Sequence, residues 1–399
     1  MKYKHIYLLG MAILLISSGC DGFFGKRTPI DFLDEPVFDE RQVAYVPIQP
    51  VISEGLVRPI DVVPGYDELV YVVDEATEEI ISYDQAGIEQ GRFQVQGVKA
   101  IVQDRRLDIL AAGTFDTLIS GTTFRLPAIY RIDLDPAGTY GLQNARIQNK
   151  IIHPFYFRTG TPTTSDEAVS FEGIAVTADN RFYVSRNGPN NSPGQFLGPD
   201  DAVLFFNDAD EFLTPITVST GVGNFTDFFN MPKALTGFAQ PPQSPAVSRD
   251  NSFIFTSVAP NQVLKVQTIQ VEATEFGTVY SVRNYQTGDT SRADRFLYEA
   301  DRFGLPSDVT VAGDGTNYIF VTDAEKDSLF VFNGQGFEGV APPPGSASTK
   351  VILASFGGTG ESLTQFREPA GVAYLNEIVY VADAGNGRLL RFRLTTDFD

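Results

Sequence analysis

Beyond residue 42 the chain repeats one pattern: a short apolar run, a turn, a second β-rich run, a turn and a third run. Val, Ile, Tyr and Phe fill the runs, while Gly, Asp and Asn mark the turns, as expected for pleated strands joined by tight connections. The clearest copy reads Phe366-Arg-Glu-Pro369-Ala-Gly371-Val372-Ala373, then Ile378-Val-Tyr380-Val-Ala-Asp383, then Arg388-Leu-Leu390-Arg-Phe392. A second runs from Leu305-Pro306-Ser-Asp308-Val309 through Tyr318-Ile-Phe320-Val321-Thr-Asp323 to Ser328-Leu-Phe330. A third runs from Arg58-Pro59-Ile-Asp61-Val62 through Leu69-Val-Tyr71-Val-Val-Asp74 to Ile80-Ile-Ser-Tyr83. Fainter copies begin at Val98-Lys99-Ala-Ile101, at Phe171-Glu172-Gly173-Ile174 and at Ser244-Pro245-Ala246-Val247. The anchors Val62, Ile101, Ile174, Pro245, Val309 and Val372 stand 39, 73, 71, 64 and 63 residues apart. Spacings this uneven imply repeats that carry long loops.

The last copy, with Ser355-Phe356-Gly357-Gly358 ahead of it, resembles an NHL repeat, a β-propeller blade. The resemblance covers roughly residues 43–395 and implies an all-β fold, a six-bladed propeller. The chain ends just after the third run of the sixth copy, yet a blade needs four strands and a bare edge invites mispairing. The β-rich segment 43–48, from Val43 to Ile48, is therefore expected to supply the outer strand of the last blade by pairing outside Arg388. Excess length in the 102–170 and 207–243 stretches reads as loop rather than as a seventh blade.

The N-terminus has a different pattern. Lys2 and Lys4 precede an apolar run from Ile6 to Ile16, then Ser17-Ser18-Gly19-Cys20. These are the parts of a secretory signal, with a run too short to span a bilayer comfortably. The chain's single cysteine directly follows the small residues. This resembles a bacterial lipobox, and the resemblance implies a lipoprotein: signal peptide 1–19, lipid attachment at Cys20, a tether over 20–42 and a propeller domain over 43–399. The expected location is outside the cytoplasm, lipid-anchored in the bacterial cell envelope, in the outer or inner membrane.

Composition narrows the function. The formal charge is −20, and removing residues 1–19 takes away Lys2 and Lys4 but no acid, giving −22. Such a surface argues against a nucleic-acid partner and against adhesion to anionic headgroups, so the membrane contact is expected through the lipid. One cysteine excludes an intramolecular disulfide framework and a cysteine-based zinc cluster. No Gly-x-Ser-x-Gly elbow, phosphate loop or His-Glu-x-x-His is present. Once the signal leaves, His153 is the one remaining histidine and reads as a packing residue. Asp74, Asp323 and Asp383, each ending a second run, read as caps of their own turns.

Two regions remain for function. In a propeller the first strand of each blade lines the axis, which places Asp61, Lys99, Glu172, Gln243, Ser307, Asp308 and Gly371 near one mouth of the channel. Asp61, Glu172 and Asp308 are hard oxygen donors of the kind that hold calcium or magnesium. Phe171-Glu172-Gly173-Ile174 is mildly similar to the Glu-Gly segment of gluconolactonase-like enzymes, which implies a divalent-metal hydrolase or lactonase. Pairing of Lys99 with Glu172 would instead make the ring an inert charge network. The second region is loops: Asn187 and Asn190 in one, and Phe225, Phe228 and Phe229 in another, offer anchors for a protein or glycan. The preferred reading is a non-enzymatic binding or scaffold module, with the metal-dependent hydrolase as the alternative.

Overall fold

The computed structural model describes residues 43–153, 162–192, 198–239, 249–275, 277–284 and 291–398. Cys20, the signal 1–19 and the tether 20–42 lie outside the described residues, as do Gln243 and Ser244. No described helix is long and apolar enough to cross a membrane.

The described residues form six sheets around an axis, antiparallel apart from one pairing at the outer edge of blade 4, a six-bladed β-propeller. Blade 1 runs Pro59–Pro64, Val70–Asp74, Glu79–Tyr83, Glu89–Gln94; blade 2 runs Ala100–Gln103, Ile109–Ile119, Thr122–Asp133, Arg146–Ile152. Blade 3 runs Ser170–Val176, Phe182–Asn187, Ala202–Phe206, Phe212–Pro215, and blade 4 runs Pro232–Gly237, Phe253–Ser257, Val266–Thr274, Gly277–Val282. Blade 5 has Pro306–Val311, Ile319–Asp323, Ser328–Phe332 and the two-residue Phe356–Gly357; blade 6 has Pro369–Leu375, Ile378–Asp383 and Arg388–Leu394. Inner strands neighbour one another in chain order, and the last meets the first.

The fourth strand of blade 6 comes from the N-terminal side, as the unpaired edge required. Tyr45–Ile52 pairs antiparallel with Arg388–Leu394, opposing Tyr45 to Leu394 and Ile48 to Arg391. Beyond the strand, Thr395 N–H donates to the Ala44 carbonyl at 2.9 Å.

Blade 4 departs from the expected layout. Its inner strand is Pro232–Gly237, not a segment at Ser244, and its third strand is Val266–Thr274. The hairpin of Val218–Thr220 and Gly223–Phe225 is added to its outer edge through a parallel pairing of Val218 with Tyr280, so part of the 207–243 excess is strand rather than loop. Blade 2 uses its excess similarly, in the long hairpin of its second and third strands.

Core packing lies between blades. Second strands such as Val70–Asp74 are buried throughout because both faces meet a neighbour. Asp74, Asp323 and Asp383 are fully buried at the ends of these strands. Asp74 accepts the N–H groups of Val57, Arg58, Ala76 and Thr77, so it caps its own turn and also fixes the loop leading into the inner strand. Asp323 does the same for Gly304, Leu305, Glu325 and Lys326.

Candidate functional site

The inner strands begin alike. Pro59, Pro232, Pro306 and Pro369 each occupy the first position, where a missing N–H costs the ladder least. A register shift follows within the next residues of blades 1, 3, 4, 5 and 6. Such bulges re-aim side chains. Here they fall at Glu172, Lys233 and Ser307, which line the channel with Asp61, Lys99 and Asp308.

These side chains neutralise one another. Glu172 Oε1 takes Lys99 Nζ at 2.6 Å and the Ser170 hydroxyl at 2.5 Å, while Oε2 takes Lys233 Nζ at 2.6 Å. Burial alone would raise the Glu172 carboxyl, but the Lys233 and Lys99 ammonium groups overturn that and hold it at about 2. Thus Lys-Glu-Lys spans blades 2, 3 and 4.

Asp61 and Asp308 stand on blades 1 and 5, with Gly371 of blade 6 between them in the ring. Each carboxylate clips the next blade: Asp61 Oδ2 accepts Ile101 N–H at 2.8 Å, and Asp308 Oδ2 accepts Val372 N–H at 2.7 Å. Asp61 keeps a little surface on the channel yet is surrounded by dense protein, and this burial pushes it up to about 6 against the pull of Lys233. Burial, then the charge of Asp61, drive Asp308 well above the usual carboxylate range.

The cavity along the axis holds about 60 Å³. That is room for a few waters and well below the roughly 300–1,000 Å³ of ordinary ligand pockets. Tyr66 closes one end: its hydroxyl donates to the Ala239 carbonyl of the opposite blade at 2.7 Å, and Arg105 lies 5.6 Å from its ring centroid. Burial pushes this phenol up to about 12, so it remains a donor.

Asp61, Glu172 and Asp308, the three expected metal ligands, are otherwise engaged here. Both oxygens of Glu172 are taken by lysines, and Asp61 and Asp308 are turned onto backbone N–H groups of neighbouring blades. Among the described residues no group of three or more His, Cys, Asp or Glu is arranged to hold a metal ion.

The loop candidates separate. Phe229 is 2% exposed and packs on Phe255, so it belongs to the core rather than to a contact surface. Phe228 is partly buried against the same cluster. Phe225 is 37% exposed on the edge strand of blade 4. Asn187 pairs with Ser170 and holds the strand-end place that Asp74, Asp323 and Asp383 fill elsewhere. Its Oδ1 is buried and has no hydrogen-bond partner. Asp201 takes over the capping work there, accepting Gly188 and Met231 N–H groups. Asn190 N–H donates to Asp200 Oδ2 at 2.9 Å. His153 is buried beside Phe171, and since a guanidinium only donates, its Nε2 accepts from Arg186 NH1 at 3.3 Å.

Sequence reading missed Lys233 and Tyr66. A signal for the first was present: Pro232-Lys233-Ala234-Leu235 matches Pro306-Ser307-Asp308-Val309 in the order proline, channel residue, small or acidic residue, aliphatic.

No protein-family model and no curated protein sequence matches the chain. Solved structures do resemble it. A luciferin-regenerating enzyme is 9% identical over 87% of this chain and 95% of its own, with a TM-score of 0.52. An auxiliary nutrient binding protein from Bacteroides thetaiotaomicron is 13% identical over 85% of this chain and 70% of its own, at 0.49. A gluconolactonase from Xanthomonas campestris is 11% identical over 90% of this chain and 98% of its own, at 0.47. At 9% identity the first of these likenesses shows the fold alone.

Proposed function

We propose that this chain is an exported lipoprotein, anchored through Cys20 in a bacterial envelope, whose propeller is a non-enzymatic binding or scaffold module. The observation that carries the reading is the state of the channel. Its charged groups pair with one another or clip neighbouring blades, and the remaining space is too small for an organic substrate. Function then falls to the surface. The loop after Asn187 starts beside the Ser170–Glu172 end of blade 3, and the exposed edge at Phe225 offers an aromatic anchor for a protein or glycan partner.

Crosslinking and pull-down from native membranes, comparing the parent chain with Asn187→Ala and Phe225→Ala, test this reading. Loss of a specific envelope partner in either variant is the expected result. The same preparation tests the anchor, since Cys20→Ala should release the protein from membranes. Lactone hydrolysis by the parent chain that disappears in Glu172→Ala would overturn the non-enzymatic reading.

A further inference from the structure

The seam that closes the ring contains a buried cation with no anion in contact. Arg391, in the third strand of blade 6, is 3% exposed. Its NH1 donates to the Gln85 carbonyl in blade 1 at 2.7 Å, and its NH2 to the Pro50 carbonyl in the closing strand at 2.8 Å. The guanidinium therefore joins three elements, but through neutral carbonyls only. Its Nε is buried without a hydrogen-bond partner.

Tyr380 stands directly opposite Arg391 in the strand pairing, so their side chains share one face of blade 6. Its ring packs in the layer between blades 6 and 1, and its hydroxyl is likewise buried without a partner. With the Tyr83 hydroxyl, also buried there without a partner, three orphaned donors, one of them charged, thus occupy one layer. The acid whose charge Arg391 feels, Asp84, is already engaged: Oδ1 accepts Ile88 N–H at 2.8 Å and Oδ2 the Gln90 amide at 3.2 Å. Burial holds the guanidinium below its usual range, which fits a charge lacking local compensation.

Leaving a buried charge uncompensated costs several kcal/mol, and unmade buried hydrogen bonds add to that. A small anion would remove both penalties. Space restricts it: a Cβ added at Gly87 would stand 3.5 Å from Arg391 Cζ and 2.8 Å from Ile52 Cδ1, so the blade 1 turn lies directly over the guanidinium.

We propose that Arg391 Nε and the Tyr380 hydroxyl hold one halide-sized monovalent anion in the layer between blades 6 and 1. Bound there, it compensates the guanidinium that joins blade 1 to the closing strand.

Thermal unfolding of the full chain at constant ionic strength, with chloride exchanged for gluconate, tests the site. Halide should raise Tm by about 2 °C per tenfold increase once the site fills, with bromide able to replace chloride. Tyr380→Phe keeps the ring and should weaken the halide dependence; Arg391→Met should abolish it. If Arg391→Met fails to fold, Tyr380→Phe still decides. A bromide anomalous peak beside Arg391 Nε in crystals would support the proposal. Equal Tm in chloride and gluconate, or a water at that position in the presence of bromide, would overturn it.

Discussion

Glu172 of blade 3 and Lys233 of blade 4 meet at 2.6 Å, and the other carboxylate oxygen of Glu172 meets Lys99 of blade 2 at the same distance. One acid therefore holds three consecutive blades at the channel. The Glu172 side chain is 9% exposed, while its lysine partners are about a third exposed, so solvent screens the pairs only from the lysine side. Its carboxyl, at about 2, lies below the ordinary value of 4.5, so the unfolded chain binds the extra proton as pH falls. The stabilisation is present above about pH 4.5 and is lost on acidification towards 2, with a size on the order of 3 kcal/mol. Glu172→Gln should lower stability at pH 7 and flatten this acid limb in urea titrations. An acid limb identical to that of the parent would refute the assignment.

The Asp61 and Asp308 pair has the opposite sign. Both carboxyls are raised in the folded state, Asp61 to about 6 from 3.8, so the folded chain binds more protons than the unfolded one between these values. Their contribution favours folding at the acid end and declines as pH rises through about 4 to 6. Asp308→Asn keeps an acceptor for Val372 N–H while removing the charge that Asp61 opposes. It should raise Tm at pH 8 more than at pH 4. A variant less stable than the parent at pH 8 would show that the ionised form is the favoured one.

Gly371 separates these two acids, and its reason is proximity rather than backbone conformation. A Cβ there would stand 2.9 Å from both Asp61 Cα and Val62 N, backbone atoms of blade 1 that cannot swing aside. Gly371→Ala should cost about 1–3 kcal/mol by forcing the two inner strands apart. Denaturant unfolding measures this, and a neutral substitution would mean that the seam has slack.

The parts of the fold that were legible are those written locally. Asp74, Asp323 and Asp383 end apolar runs because a buried strand end needs an acceptor for several N–H groups, and the residue type records that need. The closing strand followed from the count of runs, since Arg388–Leu394 had no outer partner of its own. Lys99 and Glu172 were readable as a pair because both stand at the starts of inner strands. Blade 4 was misread because Ser257, not an aspartate, ends its second strand, donating from its hydroxyl to the Asn230 carbonyl, while Ser244-Pro245 imitates a strand start. Without the right inner strand, Lys233 was invisible and Glu172 looked available to a metal. Phe229 appeared to be a loop anchor because nothing nearby in sequence shows that Phe253 and Phe255 cover it. The Tyr66 closure joins residues 173 positions apart, beyond any local pattern.

Ring closure gives the sharpest structural test. Tyr45 is 5% exposed, packs edge-on against Phe320 at 5.8 Å and stacks with Phe356 at 6.5 Å, so the closing strand is fastened to blade 5 as well as to blade 6. Tyr45→Ala should cost about 3–5 kcal/mol, the range for deleting a large buried aromatic. Tyr45→Phe should cost far less, because ring packing carries most of the contact. Removing residues 1–52 goes further, for it strips the outer strand and leaves Arg388–Leu394 as an open edge. Left without its partner, such an edge has unpaired N–H and C=O groups that can pair with other chains. Light scattering of that truncation should show self-association, and hydrogen exchange should show loss of protection centred on blade 6. A monomeric truncation with blade 6 protected as in the parent would mean that Tyr45–Ile52 decorates the ring rather than closes it.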